Sequence, residues 1–343
     1  MYSFNNDYSE GAHPKILEAL SKANFEQNDA YGKDSHSLHA AELIKSQIQC
    51  EEANVYFFEG GTQVNLTAIS SFLRPYEAAV AARTGHIFVH ETGAIEATGH
   101  KVLTAETADG MLTSELIQNI LDAHTDEHMV KPKLVYISDS TEIGTIYTKA
   151  SLTALSVFCK NNNLYLYLDG ARLGSALSSV DNDLTLADLA ALTDAFYIGG
   201  TKNGALFGEA LVICNPYLQE NFRYMIKQKG AMLAKGMVLG VQFEELFQDN
   251  LFFELAQHAN AMAEKIKTAV GNAGFAFLSQ SSTNQLFPIL PDKLIQKLQV
   301  DYQFQFYQKI GESHCAIRLV TSWATPEDAV KAFIQDFNNA IRE

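Results

Sequence analysis

Two short stretches carry residue types that could do chemistry. In Tyr197-Ile198-Gly199-Gly200-Thr201-Lys202-Asn203-Gly204 an apolar run ends in two glycines, and a single lysine follows among small residues. Upstream, Leu164-Tyr165-Leu166-Tyr167-Leu168-Asp169-Gly170-Ala171-Arg172 places an aspartate and an arginine just past another apolar run. A lysine amine can condense with a carbonyl to a Schiff base, and a carboxylate can hold a protonated pyridine nitrogen. Together they are the minimum equipment for chemistry with pyridoxal 5'-phosphate (PLP). Each alone has a plainer reading: a solvated lysine for Lys202, a turn for Asp169-Gly170. The glycines around Lys202 and the companion acid favour the chemical one.

Other candidates lie along the chain. Asn54–Phe58 reads as a strand that runs into Glu59-Gly60-Gly61-Thr62 and then a helix carrying Leu66, Ile69 and Leu73. Strand, glycine turn and helix aim free backbone N–H groups at an anion, although a glycine pair before a helix also serves as a plain turn. His86 beside an apolar run is a candidate for the site or a satisfied core histidine, and His90 competes for either role. Arg318 sits in the apolar run Cys315–Val320, where a buried arginine needs an anionic partner.

The elements that position these residues alternate. Helices are expected from Pro14, from His39 to about Gln49, after Gly61, from Ser114, from Ser151 and from Thr185. Between them fall apolar strand-like runs: His86–His90, Lys101–Thr104, Leu134–Ile137, the runs ending at Asp169 and Gly199, and Glu209–Cys214. Such alternation implies crossover connections and a mostly parallel sheet with both faces covered, an α/β fold whose ligands sit beyond the carboxyl ends of the strands. Asp169, Arg172, Lys202 and the Gly61-Thr62 turn all follow strand ends. Beyond about residue 245 a long helix from Asn250 to Gly271 precedes strands at Phe275–Leu278, Gln285–Leu290, Tyr302–Tyr307 and Cys315–Val320. Thr325 is placed to cap a terminal helix. The expected division is a large domain over 1–245 and a smaller α+β domain over 246–343.

Composition excludes several classes. With 343 residues, 47% of them hydrophobic, the chain can bury a large core, and its net charge of −15 leaves no basic stripe for nucleic acid or anionic membrane. No apolar run approaches the roughly 20 residues of a membrane span. The N-terminus has no basic or apolar leader pattern, so a cytoplasmic protein is expected. Cys50, Cys159, Cys214 and Cys315 match no metal or redox spacing and read as reduced buried thiols; no metal is expected.

The residues, taken in order, resemble a known family. Asp7, Tyr31-Gly32-x-Asp34, Gly61-Thr62-x-x-Asn65, His86-Ile87 with Glu91 downstream, Asp169-Gly170-Ala171-Arg172, Lys202 and Arg318-Leu319-Val320-Thr321 are similar to the low-specificity L-threonine aldolases. These are fold-type I PLP enzymes grouped with the aromatic amino acid β-eliminating lyases, and the resemblance spans essentially the whole chain. It implies that Lys202 is the Schiff-base lysine, that Asp169 pairs with the pyridine nitrogen, that His86 stacks on the ring, and that Gly61 and Thr62 hold the phosphate. It further implies that Arg172 and Arg318 bind the substrate carboxylate, with Asn6 where the family usually has a serine. Tyr31 would approach from a neighbouring subunit of a homotetramer built from dimers.

Two positions depart from the pattern. The family often has a histidine near the substrate hydroxyl, and here the matching residue is Glu142 in Ser140-Thr141-Glu142-Ile143-Gly144. The arginine that a partner subunit usually offers to the phosphate is matched by Leu233, with Lys229 and Lys235 close by. The activity implied is retro-aldol cleavage of L-threonine or L-allo-threonine to glycine and acetaldehyde, with Lys202, His86 and Glu142 as catalytic residues. β-Elimination on another amino acid, or a non-catalytic binding protein on the same fold, are the alternatives.

Overall fold

The structure is a computed structural model and describes residues 1–342. After a short N-terminal strand, β1 (Tyr2–Ser3), the central sheet is built from β2 (Asn54–Phe58), β3 (Glu77–Ala82), β4 (Val102–Ala105), β5 (Lys131–Ser138), β6 (Tyr165–Asp169), β7 (Ala195–Gly199) and β8 (Glu209–Ile213). The strand order is β2-β8-β7-β6-β5-β3-β4. β8 is antiparallel to both neighbours, and every other pairing is parallel.

Successive side chains on a strand point to opposite faces, and both faces are covered here. Val80, Val135, Leu166, Phe196 and Val212 meet helices that supply Ile44, Leu152, Leu189 and Phe243. On the other face Ala79, Tyr136, Tyr167, Tyr197 and Leu211 meet Val64, Ile69, Phe72 and Phe222.

The structure corrects the reading of His86–His90 as a strand. His86–Val89 is a short helix that opens at Gly85, with the Phe88 N–H donating to the Gly85 carbonyl at 2.9 Å. The sheet position is taken by β3, Glu77-Ala78-Ala79-Val80-Ala81-Ala82, every residue of which is buried. Its alanines have weak strand preference, but small side chains let helices close over both faces, and burial overrides propensity.

The C-terminal part has its own sheet. β9 (Gln285–Leu286), β10 (Ile289–Pro291), β11 (Tyr302–Gln303), β12 (Gln305–Ile310) and β13 (His314–Val320) follow the helices Met237–Gln248 and Leu251–Asn272. β13 pairs antiparallel with β9, β10 and β12. Phe275–Leu278, expected as a strand, makes only one bridge, Phe277 opposite Pro288, and the expected strand Gln285–Leu290 is split between β9 and β10. Proline has no N–H to give to a ladder, so the break falls around Pro288. The expected strand Tyr302–Tyr307 also divides: β11 pairs in parallel with β1, while β12 joins β13.

The N-terminal segment is held in this second unit. Phe4 lies with Ile266, Leu290, Ile317 and Phe333 in a third core cluster, and the Val320 N–H donates to the Phe4 carbonyl at 2.8 Å. That anchorage delivers Asn6 and Asp7 to the end of the central sheet.

Thr325 does not cap the terminal helix Glu327–Arg342. Its hydroxyl accepts from the Ser322 N–H at 2.7 Å, and the Pro326 carbonyl takes the first helical N–H groups. Cys159 and Cys315 are buried, Cys50 and Cys214 half-buried, and all four are free thiols. Among the described residues no helix is long and apolar enough to cross a membrane.

Candidate active site

The carboxyl ends of the parallel strands converge on one cleft. β6 ends in Asp169, β7 leads to Lys202, β3 leads through Gly85 to His86, β5 leads to Glu142, and β2 leads to the Gly60-Gly61 turn. Tight backbone contact fixes two of these ends against each other. A Cβ on Gly170 would overlap the Tyr197 carbonyl, and one on Gly199 would overlap Ala171. Glycine is therefore required where the β6 and β7 ends cross.

Asp169 is buried and accepts four hydrogen bonds. Its Oδ1 takes the Tyr197 hydroxyl at 2.6 Å and the Ala171 N–H at 3.0 Å; Oδ2 takes the Tyr136 hydroxyl at 2.5 Å and Asn65 Nδ2 at 3.0 Å. Burial alone would raise its pKa, but the His86 charge and the Tyr136, Tyr197 and Asn65 hydrogen bonds hold it below the ordinary value. The sequence shows Tyr136 and Tyr197 only as members of apolar strand-like runs. The signal for them was the strand alternation that turns Tyr136, Tyr167 and Tyr197 to one face of adjacent strands.

Lys202 is half-buried on a turn anchored by Asn203, whose Nδ2 donates to the Phe252 carbonyl at 2.7 Å. Its amine makes no hydrogen bond or ion pair with any described residue. Burial and the positive charge of Arg172 push its pKa down, against the pull of Asp7, Glu142 and Asp169. A lysine nucleophile must lose its proton, and this is the environment that favours the loss.

His86 is half-buried and its Nδ1 lies 2.8 Å from Glu91 Oε1. Burial lowers its pKa, but Glu91, Asp169 and Glu142 together raise it above the ordinary value. The competing His90 has an exposed ring whose centroid is 5.4 Å from that of His86.

The two arginines differ. Arg172, its side chain only 8% exposed, is paired with Asp7: Nε to Oδ2 is 2.7 Å and Nη2 to Oδ1 is 3.0 Å. Arg318, on β13, meets only neutral amide oxygens, Gln285 Oε1 at 2.6 Å and Gln305 Oε1 at 2.9 Å. Burial and the nearby Arg172 charge lower its pKa. Asn6 folds its Oδ1 back to the Tyr8 N–H at 2.9 Å and the Ser9 hydroxyl at 3.0 Å.

Glu142 stands half-buried in a turn closed by the Gly144 N–H to the Thr141 carbonyl at 3.0 Å. Gly144 has φ +80° there, and a Cβ on it would strike Ser281. The Glu142 carboxylate has no hydrogen bond or ion pair among the described residues, yet it acts electrostatically on His86, Arg172, Lys202 and Arg318.

Gly61 and Thr62 open the helix Gly61–Phe72, whose first N–H groups are unsatisfied within the helix. A Cβ on Gly61 would lie 2.9 Å from the Tyr197 hydroxyl. Tyr31 is not brought to Lys202 within one chain. It borders a cavity of about 220 Å³ that Lys33, Arg223 and Leu233 also line, and Lys227 Nζ lies 4.8 Å from its ring centroid.

The profile of the beta-eliminating lyase family matches residues 6–292. The chain belongs to that family. The low specificity L-threonine aldolase of Pseudomonas aeruginosa is 31% identical over 336 residues, 97% of this chain and 96% of that protein. The solved structure of Leishmania major threonine aldolase superposes with a TM-score of 0.98 at 52% identity, covering 99% of this chain and 100% of that one. A Thermus thermophilus aspartate aminotransferase, at 14% identity and a TM-score of 0.73 over 99% of this chain and 91% of its own, shares the fold alone. The fold is that of the fold-type I PLP enzymes, and the cofactor is PLP.

The residues present fit that cofactor. Asp169 is a buried carboxylate bonded only by neutral donors, which a protonated pyridine nitrogen complements. Lys202 offers an unengaged amine, and the Gly61-Thr62 helix start offers N–H groups to a phosphate.

Proposed function

We propose that this member of the beta-eliminating lyase family is a PLP-dependent aldolase, a carbon–carbon lyase that splits L-threonine or L-allo-threonine into glycine and acetaldehyde. The observation that carries the reading is the grouping of an unengaged lysine amine (Lys202), an arginine without a carboxylate partner (Arg318) and an unpaired carboxylate (Glu142) around the buried Asp169. The likeness to L-threonine aldolases along the whole chain supports it.

When bound, PLP supplies an electron sink for the pair released from a bond at the substrate's α-carbon. Asp169 holds the pyridine nitrogen protonated, and Lys202 in its neutral form is the amine that tethers the cofactor. Arg318 takes the substrate carboxylate by charge-assisted hydrogen bonds, and Arg172, already neutralised by Asp7, frames the same pocket. Asn6, next to Asp7, adds a hydrogen bond to that carboxylate from its side-chain amide. Glu142 accepts the β-hydroxyl proton as the bond between the α- and β-carbons breaks, leaving acetaldehyde; a proton returned to the α-carbon gives glycine. His86 covers the ring, and Gly61 and Thr62 hold the phosphate.

Tyr31, exposed in the single chain, completes the site of a neighbouring subunit in a homo-oligomer, a tetramer by family analogy. In sequence, Leu233, with Lys229 and Lys235 close by, matches the position of the family's phosphate-binding arginine. Residues 1–245 and 246–343 act as the two domains, and the protein works in the cytoplasm.

Product analysis of the PLP-loaded protein tests the reading. Glycine with acetaldehyde is expected from both threonine isomers given separately. A keto acid with ammonia would instead place the protein with the β-eliminating members of the family.

A further inference from the structure

Glu91 is a fully buried acid at the site to which the reaction as described gives no task. The helix His86–Val89 ends at His90, and the left-handed turn Thr92-Gly93 (φ +51° and +71°) sends the Glu91 side chain inward, where it has 0% exposure. Its Oε1 accepts from two groups, His86 Nδ1 at 2.8 Å and Asn65 Nδ2 at 2.8 Å. Its Oε2 has no protein partner.

Asn65 continues the connection. Nδ2 carries two hydrogens and also donates to Asp169 Oδ2 at 3.0 Å, while Oδ1 accepts the Tyr167 hydroxyl at 3.0 Å. Carboxylates only accept, so Glu91 and Asp169 fix the donor end of the amide between them, and the Tyr167 hydroxyl donates to the other end. Asp169 and Glu91 are thus tied by one amide nitrogen, and among the described residues His86 is the only cationic side chain in bonding contact with either.

Buried carboxylates are retained where a cation answers them. With Nδ1–H given to Glu91, the imidazole has one orientation, and Nε2 is the nitrogen left free to face the reaction. The other groups acting on the ring are Asp169 and Glu142, both acidic, and the exposed His90; the acids reinforce Glu91.

The geometry points to Glu91 as a positioning residue that, with Asn65, holds His86 as an oriented imidazolium at the cofactor site and couples it to Asp169. This rests on the PLP reading of the site, though not on threonine as the substrate. His86 then supplies a fixed positive charge, and the proton acceptor is left to Glu142.

The test is NMR titration of the His86 ring in the PLP-loaded protein, as wild type and as Glu91→Gln, Glu91→Asp and Asn65→Ala. In wild type His86 should titrate above its ordinary value of 6.5. Glu91→Gln should lower that midpoint by about one unit or more and Glu91→Asp should restore part of it. Asn65→Ala should disturb the Asp169 side, seen as a shift in the pH dependence of the bound cofactor's absorbance. Turnover should fall about 10–100-fold in Glu91→Gln, as for other residues that orient a site group, with the threonine KM little changed. A wild-type midpoint at or below the ordinary value would overturn the proposal, even if Glu91→Gln failed to fold. So would an unchanged midpoint in folded Glu91→Gln. If wild type yields no glycine and acetaldehyde but the His86 midpoint moves as stated, the aldolase reading fails and the Glu91 assignment stands.

Discussion

The Asp7 carboxylate and the Arg172 guanidinium form a two-point ion pair, 2.7 and 3.0 Å, across the gap between the N-terminal segment and the end of β6. Asn284 adds a third contact, Nδ2 to Asp7 Oδ2 at 2.9 Å, from the C-terminal part of the chain. The pair therefore joins three segments that are remote in sequence. It also leaves Arg318 as the arginine at the site with no carboxylate of its own.

Removing one partner of a buried pair strands the other charge. Asp7→Asn should lower stability to urea unfolding by about 3 kcal/mol or more. A variant within ~0.5 kcal/mol of wild type would mean that water reaches Arg172 freely.

The same pair sets an acid limit. The Arg172 and Lys202 charges, with hydrogen bonds from Arg172 and Asn284, outweigh burial and hold Asp7 at about 2, below its ordinary 3.8. Between those values the unfolded chain binds more protons than the folded one. The stabilisation is therefore complete above pH 3.8 and is lost as pH falls through about 2. Urea midpoints measured from pH 5 downward should drop less steeply in Asp7→Asn than in wild type.

Arg318→Ala should raise the threonine KM by roughly 10–100-fold, the worth of a hydrogen bond between charged groups. PLP affinity, read by equilibrium dialysis, should hold. Equal losses of substrate and PLP affinity would place Arg318 at the cofactor instead.

Glu142→Gln should cut kcat by about 10²–10⁴-fold with cofactor absorbance intact, as expected for loss of a general base. Lys202→Ala should lose both turnover and the bound cofactor's visible absorbance. Retained turnover in Lys202→Ala would remove the Schiff-base assignment altogether.

Gly61→Ala tests the phosphate turn. A methyl group there would lie 2.9 Å from the Tyr197 hydroxyl and push it from Asp169. PLP should dissociate faster, with little change in overall stability. An unchanged dissociation rate would show that Tyr197 gives way without loss.

Much of this protein was legible in its sequence because the chemistry sits on short, local signals. Alternating apolar runs and helical patterns announced a covered parallel sheet, and glycines marked the strand ends where Asp169, Lys202 and Gly61 stand. β3 was not legible: alanine-rich Glu77–Ala82 has a strand's role only because helices press on both of its faces. His86–Val89 was mistaken for a strand for the converse reason, an apolar run with no sheet position left to occupy.

The tertiary structure alone decided the partnerships. Sequence supplied Asp7, Asn65, Glu91 and Arg172 without saying which touches which, since hydrogen-bonding side chains have no preference for a partner until folding brings one within 3 Å. Phe4 had to dock beside Val320 before Asp7 could reach Arg172. Tyr136 and Tyr197 had to share a face of adjacent strands before their hydroxyls could meet at Asp169. Residue types and spacing determined what chemistry was available; packing determined which charges were paired and which, at Lys202, Glu142 and Arg318, were left without an oppositely charged partner in bonding contact.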